Sequence, residues 1–340
     1  MRAMLIGIGH VGRAVLRAWR SRVRSGVRLV AALDAHGRFE NLAGLDPLEV
    51  VKRKEARDYD APLIGPPAAR IAAVRPDILI ELSVTNVTTG EPAIPDIVAA
   101  LERGTHVVTS AKSHQRSRAD LERVAAAAAR TGAFFFDHAA HLAGIPVTES
   151  MTGIGMEVIR LEGVLNGTTN FILKRMEEGI DFQAALNEAI TRGFAEKDWR
   201  YDVQGTDVGI KLVGLARRLM GRTLDLAEIK FEGIAPGMLG IEGIDAARVA
   251  ECLARRERIK LFGEVDALPG GGARARVAPR ILSADEPFAR IDGFKNAIAI
   301  HGTLNDTKMD LFLSGPGAGA DETASRVIGN LNALVDLLRL

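Results

Sequence analysis

Between residues 165 and 212 the chain gathers groups that could hold a small zwitterion and move a proton. Asn166-Gly167-Thr168-Thr169-Asn170 is a polar loop built around a glycine. Glu196, Asp202 and Asp207 then crowd three carboxylates into twelve residues, close to one lysine, Lys211. Gly167 permits an unusual backbone angle, and the threonines and Asn170 can cap the following helix and offer donors to a carboxylate. The carboxylates suit recognition of an ammonium group. Asp207 and Lys211 are four apart on one helical face with Gly214, beside an apolar stripe of Val208, Leu212, Leu215 and Leu219. Taken alone, the loop reads as an ordinary N-cap. The charge pair reads as a surface i,i+4 contact worth about 0.3–0.5 kcal/mol. Against that, Gly209 and Gly214 flank the pair and leave room for a ligand.

A second constellation opens the chain. Residues 1–6 form a short apolar run with β character, followed at once by Gly7-Ile8-Gly9-His10-Val11-Gly12. Val11, Ala14, Val15, Ala18 and Trp19 then recur at helical spacing, and the apolar run 27–33 ends in Asp34. The order is strand, glycine turn, helix, strand, acid. Gly7 permits the tight turn, Gly9 lets backbone approach a pyrophosphate at the helix N-terminus, and Gly12 lets the helix pack close to the strand. Asp34 stands where a carboxylate meets the adenosine ribose of a dinucleotide. Candidate cofactor contacts are therefore Gly7, Gly9, His10, Val11, Gly12 and Asp34. Asp34 favours the free 2′-hydroxyl of NAD. His36, Arg38 and Lys52-Arg53-Lys54 could instead reach the 2′-phosphate of NADP, or the triplet could be a solvated helix face.

The elements that must position these groups alternate. Apolar strand-like runs at 78–82, 106–109 and 133–136 are separated by helix-like segments at 95–103 and 119–130. This predicts an α/β, mostly parallel, doubly wound sheet of Rossmann type. Ligands of such sheets sit beyond the carboxyl ends of the strands, where Thr85, Asn86 and Lys112 fall. The segment 266–280, with Pro269-Gly270-Gly271-Gly272, reads as a flexible loop. At 340 residues and 47% hydrophobic content the chain can fill two domains. A net charge of +1 gives no electrostatic reason to expect nucleic acid or an anionic membrane as partner. Cys252 is the sole cysteine, so an intramolecular disulfide and a cysteine-rich zinc site are ruled out. No apolar run reaches the roughly 18 residues a membrane helix needs, and the N-terminus lacks a leader pattern, so a cytoplasmic location is expected.

With these motifs in place, residues 163–217 resemble the signature of homoserine dehydrogenase, roughly G-x-x-N-G-T-x-N-Y-I-L followed by G-Y-x-E-x-D-P-x-x-D-x-x-G-x-D-x-x-x-K. The resemblance extends over nearly the whole chain. It takes in the glycine fingerprint, Thr89-Gly90-Glu91-Pro92-Ala93, Val107-Val108-Thr109 before Lys112, Gly144-Ile145-Pro146, and Gly315-Pro316-Gly317-Ala318-Gly319 with Thr323-Ala324-Ser325. It implies a nucleotide domain (1–135), an inserted mixed α/β catalytic and dimerisation domain (136–300), and a segment returning to the first domain (301–340). It implies a short form without an ACT-type regulatory domain, a homodimer, and NAD(P)-dependent interconversion of L-homoserine and L-aspartate 4-semialdehyde. By position, Lys112 is the candidate proton donor or acceptor, Lys211 holds the reacting oxygen and shares that role, and Asp207 orients it. Glu196 and Asp202 match acids facing the substrate α-ammonium, Gly167 and Thr168 the loop near nicotinamide and substrate. Arg38, Thr85, Asn86 and Gly317 complete the expected cofactor contacts.

The chain departs from this pattern inside the site. The usual Thr-Ala-Asn-Lys is Thr109-Ser110-Ala111-Lys112, Gly-Tyr-x-Glu is Gly193-Phe194-Ala195-Glu196, and Glu-x-Asp-Pro is Glu196-Lys197-Asp198-Trp199. In the family, Glu-Ala-Thr-Val-x-x-Gly-x-Pro holds a monovalent cation through its acid and backbone carbonyls. Counting back from Pro146, His138 stands at the acid and His141 at the valine, and Asp137 matches the acid only with a shift of one residue. The cation is doubtful and any metal unknown. Asp137, His138 and His141 read either as a divalent-metal site, as histidines hydrogen-bonded across the domain hinge, or as contacts to a different substrate. Two further functions stay open: a dehydrogenase of the same fold acting on a related amino alcohol or aldehyde, and a cofactor-binding paralogue without turnover.

Overall fold

The computed structural model describes residues 1–192 and 198–339. The chain divides into two compact units, Met1–Ala143 with Gly319–Leu340, and Gly144–Ala318.

In the first unit β1 (Arg2–Ile6) runs into the glycine turn, α1 (His10–Arg22) follows, and β2 (Arg28–Leu33) returns parallel to β1. After β3 (Arg38–Glu40), α2 (Pro47–Glu55) and α3 (Pro67–Val74), the alternation resumes. It runs through β4 (Ile78–Glu81), α4 (Ala93–Leu101), β5 (His106–Thr109), α5 (Arg118–Thr131), β6 (Phe135–Phe136) and the short α6 (Ala139–Leu142). The strand order is β3-β2-β1-β4-β5-β6, parallel throughout except for β3, which pairs antiparallel with β2. Both faces of β1 are covered. Ala3 and Leu5 belong to one apolar cluster with Ile8, Val15 and Trp19, and Met4 and Ile6 to another with Ile71, Ile97 and Val124. A strand buried on both sides must be apolar throughout, which is why residues 1–6 read as an unbroken run. The chain swings from one side of β1 to the other between β3 and β4, so the crevice beyond β1 and β4 is the switch point where such sheets bind ligands.

The second unit comprises α7 (Val147–Met151), β7 (Glu157–Val164), α8 (Gly167–Glu177), α9 (Phe182–Thr191), α10 (Arg200–Val203), α11 (Thr206–Leu215), β8 (Lys230–Phe231), α12 (Ala246–Ala254), β9 (Glu257–Ala267), β10 (Ala273–Ser283), β11 (Lys295–Leu304) and β12 (Thr307–Pro316). Its sheet has the order β12-β11-β7-β9-β10-β8. The pairs are antiparallel except β8 on β10. The last helix, α13 (Ala320–Leu337), rejoins the first unit and packs Val327, Ile328, Leu331 and Leu334 into the cluster around α1.

Two expectations change here. The unit boundaries fall at 143/144 and 318/319 rather than near 135 and 300, because β12 pairs with β11 along its whole length and so stays in the second sheet. The segment 266–280 is not a loop. β9 and β10 form one hairpin with eleven paired positions, closed by Leu268–Gly272, where the Leu268 N–H donates to the Gly272 carbonyl at 2.9 Å. Arginines alternating with Ala275 and Val277 are the two-residue period of a half-buried strand, and only the glycines at 270 and 271, with positive φ, make the turn.

Two of the first unit's buried acids, Glu81 and Asp96, have raised carboxyls. Glu81 ends β4 fully buried, accepts from the Ser83 N–H (2.9 Å) and Thr109 Oγ1 (3.0 Å), and is pushed up by burial. Asp96 on α4 is 1% exposed, and burial, with the negative charge of Glu81, raises its carboxyl to about 7. An unfolded aspartate titrates near ~3.9. The folded chain therefore keeps a proton that the unfolded chain has lost, and this contribution to stability declines as pH rises from about 4 to 7. Asp96→Asn should raise Tm more at pH 8 than at pH 5, by about 2–4 °C for each ~1 kcal/mol gained. Calorimetry giving equal shifts at the two pH values would contradict this.

Candidate active site

The nucleotide half lies at the carboxyl ends of β1, β2, β4 and β5. Gly7 has φ +96°, and a Cβ there would stand 2.4 Å from the Leu82 carbonyl oxygen. A Cβ on Gly12 would stand 2.1 Å from the Gly7 carbonyl oxygen, so the helix can approach the turn only as glycine. At Gly9, by contrast, a Cβ would meet nothing within 4 Å. Gly9 caps α1 without a side-chain hydrogen bond, and no acid stands in the first turn. Gly9 and His10 are exposed and Val11 half-buried. An uncapped helix start with open space before it fits a pyrophosphate.

Asp34 follows β2 directly and is not alone. Lys54 Nζ lies 2.8 Å from Asp34 Oδ2, Tyr59 Oη donates to Oδ1 at 3.4 Å, and the His36 N–H donates to Oδ1 at 3.1 Å. Burial opposes the Lys54 charge, but its bonds to Asp34 and Tyr59 hold the ammonium above its ordinary value. The basic triplet thus divides. Lys54 turns inward to the acid, Arg53 pairs with Asp58 (2.9 Å) and Asp60 (2.8 Å), and Lys52 stands on the exposed face 3.8 Å from Glu49. Arg38 donates to the Pro62 carbonyl at 3.0 Å and lies 3.6 Å from Glu40.

Thr85 and Asn86 stitch the loop after β4 to the loop after β5. Thr85 Oγ1 accepts from the Lys112 N–H at 3.1 Å, and the Asn86 N–H donates to Ser113 Oγ at 2.9 Å. Lys112, half-buried, is thereby fixed just beyond the end of β5. Below that turn, His114 Nε2 lies 3.0 Å from Asp137 Oδ2 and Gln115 Nε2 lies 3.3 Å from His141 Nε2, all buried.

The acid–lysine half is built on β7, α8, α10 and α11. Asn166 caps α8, its Oδ1 accepting from the Thr169 N–H at 2.8 Å. Its Nδ2 donates to Asp202 Oδ1 at 2.6 Å and Asp207 Oδ2 at 2.9 Å. Lys211 Nζ lies 2.7 Å from Asp207 Oδ2 and donates to the Leu165 carbonyl at 2.7 Å. Asp207 and Lys211 are each 4% exposed, so the pair is buried and not a surface contact. Asn166 is the cap, and Thr168 to Asn170 lie inside the helix, contrary to the expectation that they cap it. Gly167 sits against Phe294, whose Cα would lie 3.2 Å from an added Cβ. Gly209 leaves no room for a ligand: the absent side chain is replaced by the Phe231 ring, 2.6 Å from where a Cβ would stand. Gly317 lies in the second unit, against Asn296, whose amide carbon would be 2.0 Å from a Cβ. Glu196 and Phe194 lie outside the described residues.

Two residues of this half escaped the sequence reading. Asn296, fully buried, donates its Nδ2 to the same Leu165 carbonyl at 2.8 Å. Lys260, also fully buried, donates to Asn170 Oδ1 at 2.8 Å and the Ile291 carbonyl at 2.6 Å, and burial lowers its pKa. The available signal was a polar residue inside an apolar strand, as in Ile259-Lys260-Leu261-Phe262. The divalent-metal reading of Asp137, His138 and His141 is not supported. The three side chains turn to different partners, His138 lying 3.4 Å from Asn330 Nδ2, and no group of three potential ligands occurs among the described residues. No described helix is long and apolar enough to cross a membrane.

The family model for homoserine dehydrogenase matches residues 146–331. The chain belongs to the homoserine dehydrogenase family. It is 32% identical to an NAD(+)-dependent homoserine dehydrogenase of Pseudomonas canavaninivorans, over 96% of this chain and 94% of the relative. It is 29% identical to a homoserine dehydrogenase of Methanocaldococcus jannaschii, over 97% of each chain. Among solved structures, a hyperthermophilic archaeal homoserine dehydrogenase in complex with NADPH matches with a TM-score of 0.79 at 26% identity, over 100% of this chain and 98% of the other. A homoserine dehydrogenase from Thiobacillus denitrificans matches with the same TM-score, 0.79, and 26% identity, over 100% of this chain and 74% of the other. The protein is thus an NAD(P)-dependent oxidoreductase, with the fold of homoserine dehydrogenases and a small-molecule substrate.

The buried pair makes a stability statement. Asp207→Ala would leave the Lys211 ammonium buried without its carboxylate, a loss of about 3–5 kcal/mol. Urea unfolding checks it, and a change below about 1 kcal/mol would mean the pair is solvated.

Proposed function

We propose that this homoserine dehydrogenase family member interconverts L-homoserine and L-aspartate 4-semialdehyde, with Lys112 and Lys211 handling the proton. The observation that carries the reading is the buried chain from Asn166 through Asp207 to Lys211. It fixes one lysine amine in a water-poor setting against Asp207, with Asp202 held by the same asparagine. When bound, the nicotinamide supplies the hydride chemistry. Lys211, oriented by Asp207, holds the reacting oxygen, and Lys112, set beyond β5 by Thr85, gives or takes its proton. Asp202 faces the substrate ammonium, the role the family pattern also gives Glu196, which lies outside the described residues, and Gly167 and Thr168 line the loop beside it. Gly7, Gly9, His10, Val11 and Gly12 receive the pyrophosphate, with Thr85, Asn86 and Gly317 as further cofactor contacts.

Asp34 and Lys54 together bear on cofactor choice. The carboxylate accepts from a 2′-hydroxyl, while the ammonium 2.8 Å away offers a 2′-phosphate a counter-charge. Both NAD and NADP are therefore proposed as cofactors. Arg38, engaged by Pro62 and Glu40, has a lesser part. The single cysteine, Cys252, is buried and suits a reducing cytoplasm.

Initial rates of NAD+ and NADP+ reduction with L-homoserine test the reading. Wild type should turn over, while Lys112→Ala and Lys211→Ala should each lose at least about 100-fold in kcat with cofactor binding little changed. Wild-type turnover in either variant would remove that residue from the mechanism. Clear cofactor binding without homoserine oxidation would point to a related amino alcohol, selected by the altered Ala111, Phe194 and Trp199.

A homodimer is proposed through the second sheet. One face of that sheet carries helices α8 and α11, and on the strands Arg160 bonds Asp266 (2.6 Å), Glu264 (2.7 Å) and Glu162 (3.0 Å), while Arg280 bonds Glu162 (2.9 Å). Burial works against the Glu162 charge, but its bonds to Arg160 and Arg280 outweigh this and lower its pKa. A two-fold interface uses the same patch on both copies, and a half-buried face mixing both signs can meet its own copy without like-charge repulsion. Sedimentation should give twice the chain mass, and a mass equal to one chain would sink the dimer.

A further inference from the structure

Residues 137–143 are clamped from two sides within the first unit. From the turn after β5, His114 meets Asp137 at 3.0 Å and Gln115 meets His141 at 3.3 Å. From α13, Arg326 Nε donates to the Ala143 carbonyl at 3.0 Å, and Asn330, one helical turn on, lies 3.4 Å from His138 Nδ1. Ala143 has φ 38°, which a residue with a side chain rarely adopts, and its carbonyl is the one that receives the guanidinium. The carbonyls of Asp137 and His138 already accept from the N–H groups of Ala140 (2.9 Å) and His141 (3.3 Å).

A monovalent cation, implied here by the family resemblance, does not fit this arrangement. In the family pattern it is held by a carboxylate and several backbone carbonyls, and even carbonyls alone must turn together toward one point. His138 stands at the acid position, Asp137 is engaged by His114, and the Ala143 carbonyl faces a permanent positive charge that repels a second one. We propose that Arg326, supported by the His114–Asp137 contact, takes the place of the cation, so that this enzyme folds and turns over without K+ or Na+. Arg326 is then a positioning residue, closing from α13 the segment that ends the first unit.

The rate arm of the test rests on the homoserine dehydrogenase reading; the melting arm does not, so the two can fail separately. The wild-type protein, desalted into choline chloride, is titrated with KCl or NaCl at constant ionic strength, which holds screening fixed. Homoserine-dependent NAD(P)+ reduction should stay within about twofold, and Tm should not rise, since only an ion bound to the folded state raises it. A saturable activation or a saturable rise in Tm with either ion overturns the proposal. Arg326→Ala uncovers the Ala143 carbonyl, and should melt lower and lose kcat with little change in homoserine KM, without gaining an ion response, since the other oxygens stay engaged. A variant as stable and as active as wild type would remove Arg326 from the role, and if the variant does not fold the wild-type titration decides alone. Loss of homoserine turnover in every salt, with an ion-independent Tm, counts against the substrate reading and leaves the clamp standing.

Discussion

The second unit depends on keeping the Lys211 ammonium and the Asp207 carboxylate out of water. Desolvating such ions costs several kcal/mol each, and their attraction offsets it only when the remaining polar atoms are matched. Asn166 does that matching. Its carbonyl oxygen accepts from the first turn of α8 while both amide hydrogens go to Asp202 and Asp207. An aspartate there would cap the helix equally well but set a third carboxylate against two others. A serine could cap but has one hydrogen to give. The residue type is therefore dictated by two demands at once, one from the helix and one from the acids. With Asn166 fixed, α8, α10 and α11 have one mutual arrangement, and Lys211 is delivered to the Leu165 carbonyl at the end of β7.

This explains what was legible in the sequence and what was not. The glycine fingerprint is readable because its spacing belongs to one turn: Gly7 takes a positive φ and Gly12 presses on the Gly7 carbonyl, although the close approach of Gly7 to Leu82 comes from a distant part of the chain. The βα alternation is readable because a strand buried on both faces must be apolar throughout. The acid–lysine pair was visible, but its burial was not, since the same i,i+4 spacing serves a solvated pair. Whether it is wet or dry is decided by residues far along the chain, such as Asn296, which shares the Leu165 carbonyl. Gly209 misled for a related reason. The space it leaves is real, but Phe231 fills it, and no local pattern announces a partner twenty-two residues away. The segment 266–280, part of the hairpin of β9 and β10, reads as a loop because its Pro-Gly-Gly-Gly turn stands out more than the alternation on either side.

The departures at His138 and His141 do not stand alone. His114 and Gln115 lie before α5, Asp137, His138 and His141 after it, and the structure pairs members of one stretch with members of the other. A change on one side without its partner would leave a buried polar group unmatched, at about 1–3 kcal/mol. Paired, they tie the turn that carries Lys112 to the segment ending the first unit, and α13 holds that segment from the far side through Arg326 and Asn330. A bound ion and a guanidinium can both organise a carbonyl, but they differ in what they ask of the surroundings. An ion is exchangeable and needs several oxygens to converge. A guanidinium arrives on a helix, needs that helix packed, and directs its donors along fixed lines. The apolar contacts of Val327, Ile328 and Leu331 on the inner face of α13 meet that requirement. In this chain the geometry beside Lys112 is therefore underwritten by the hydrophobic core of the nucleotide-binding unit.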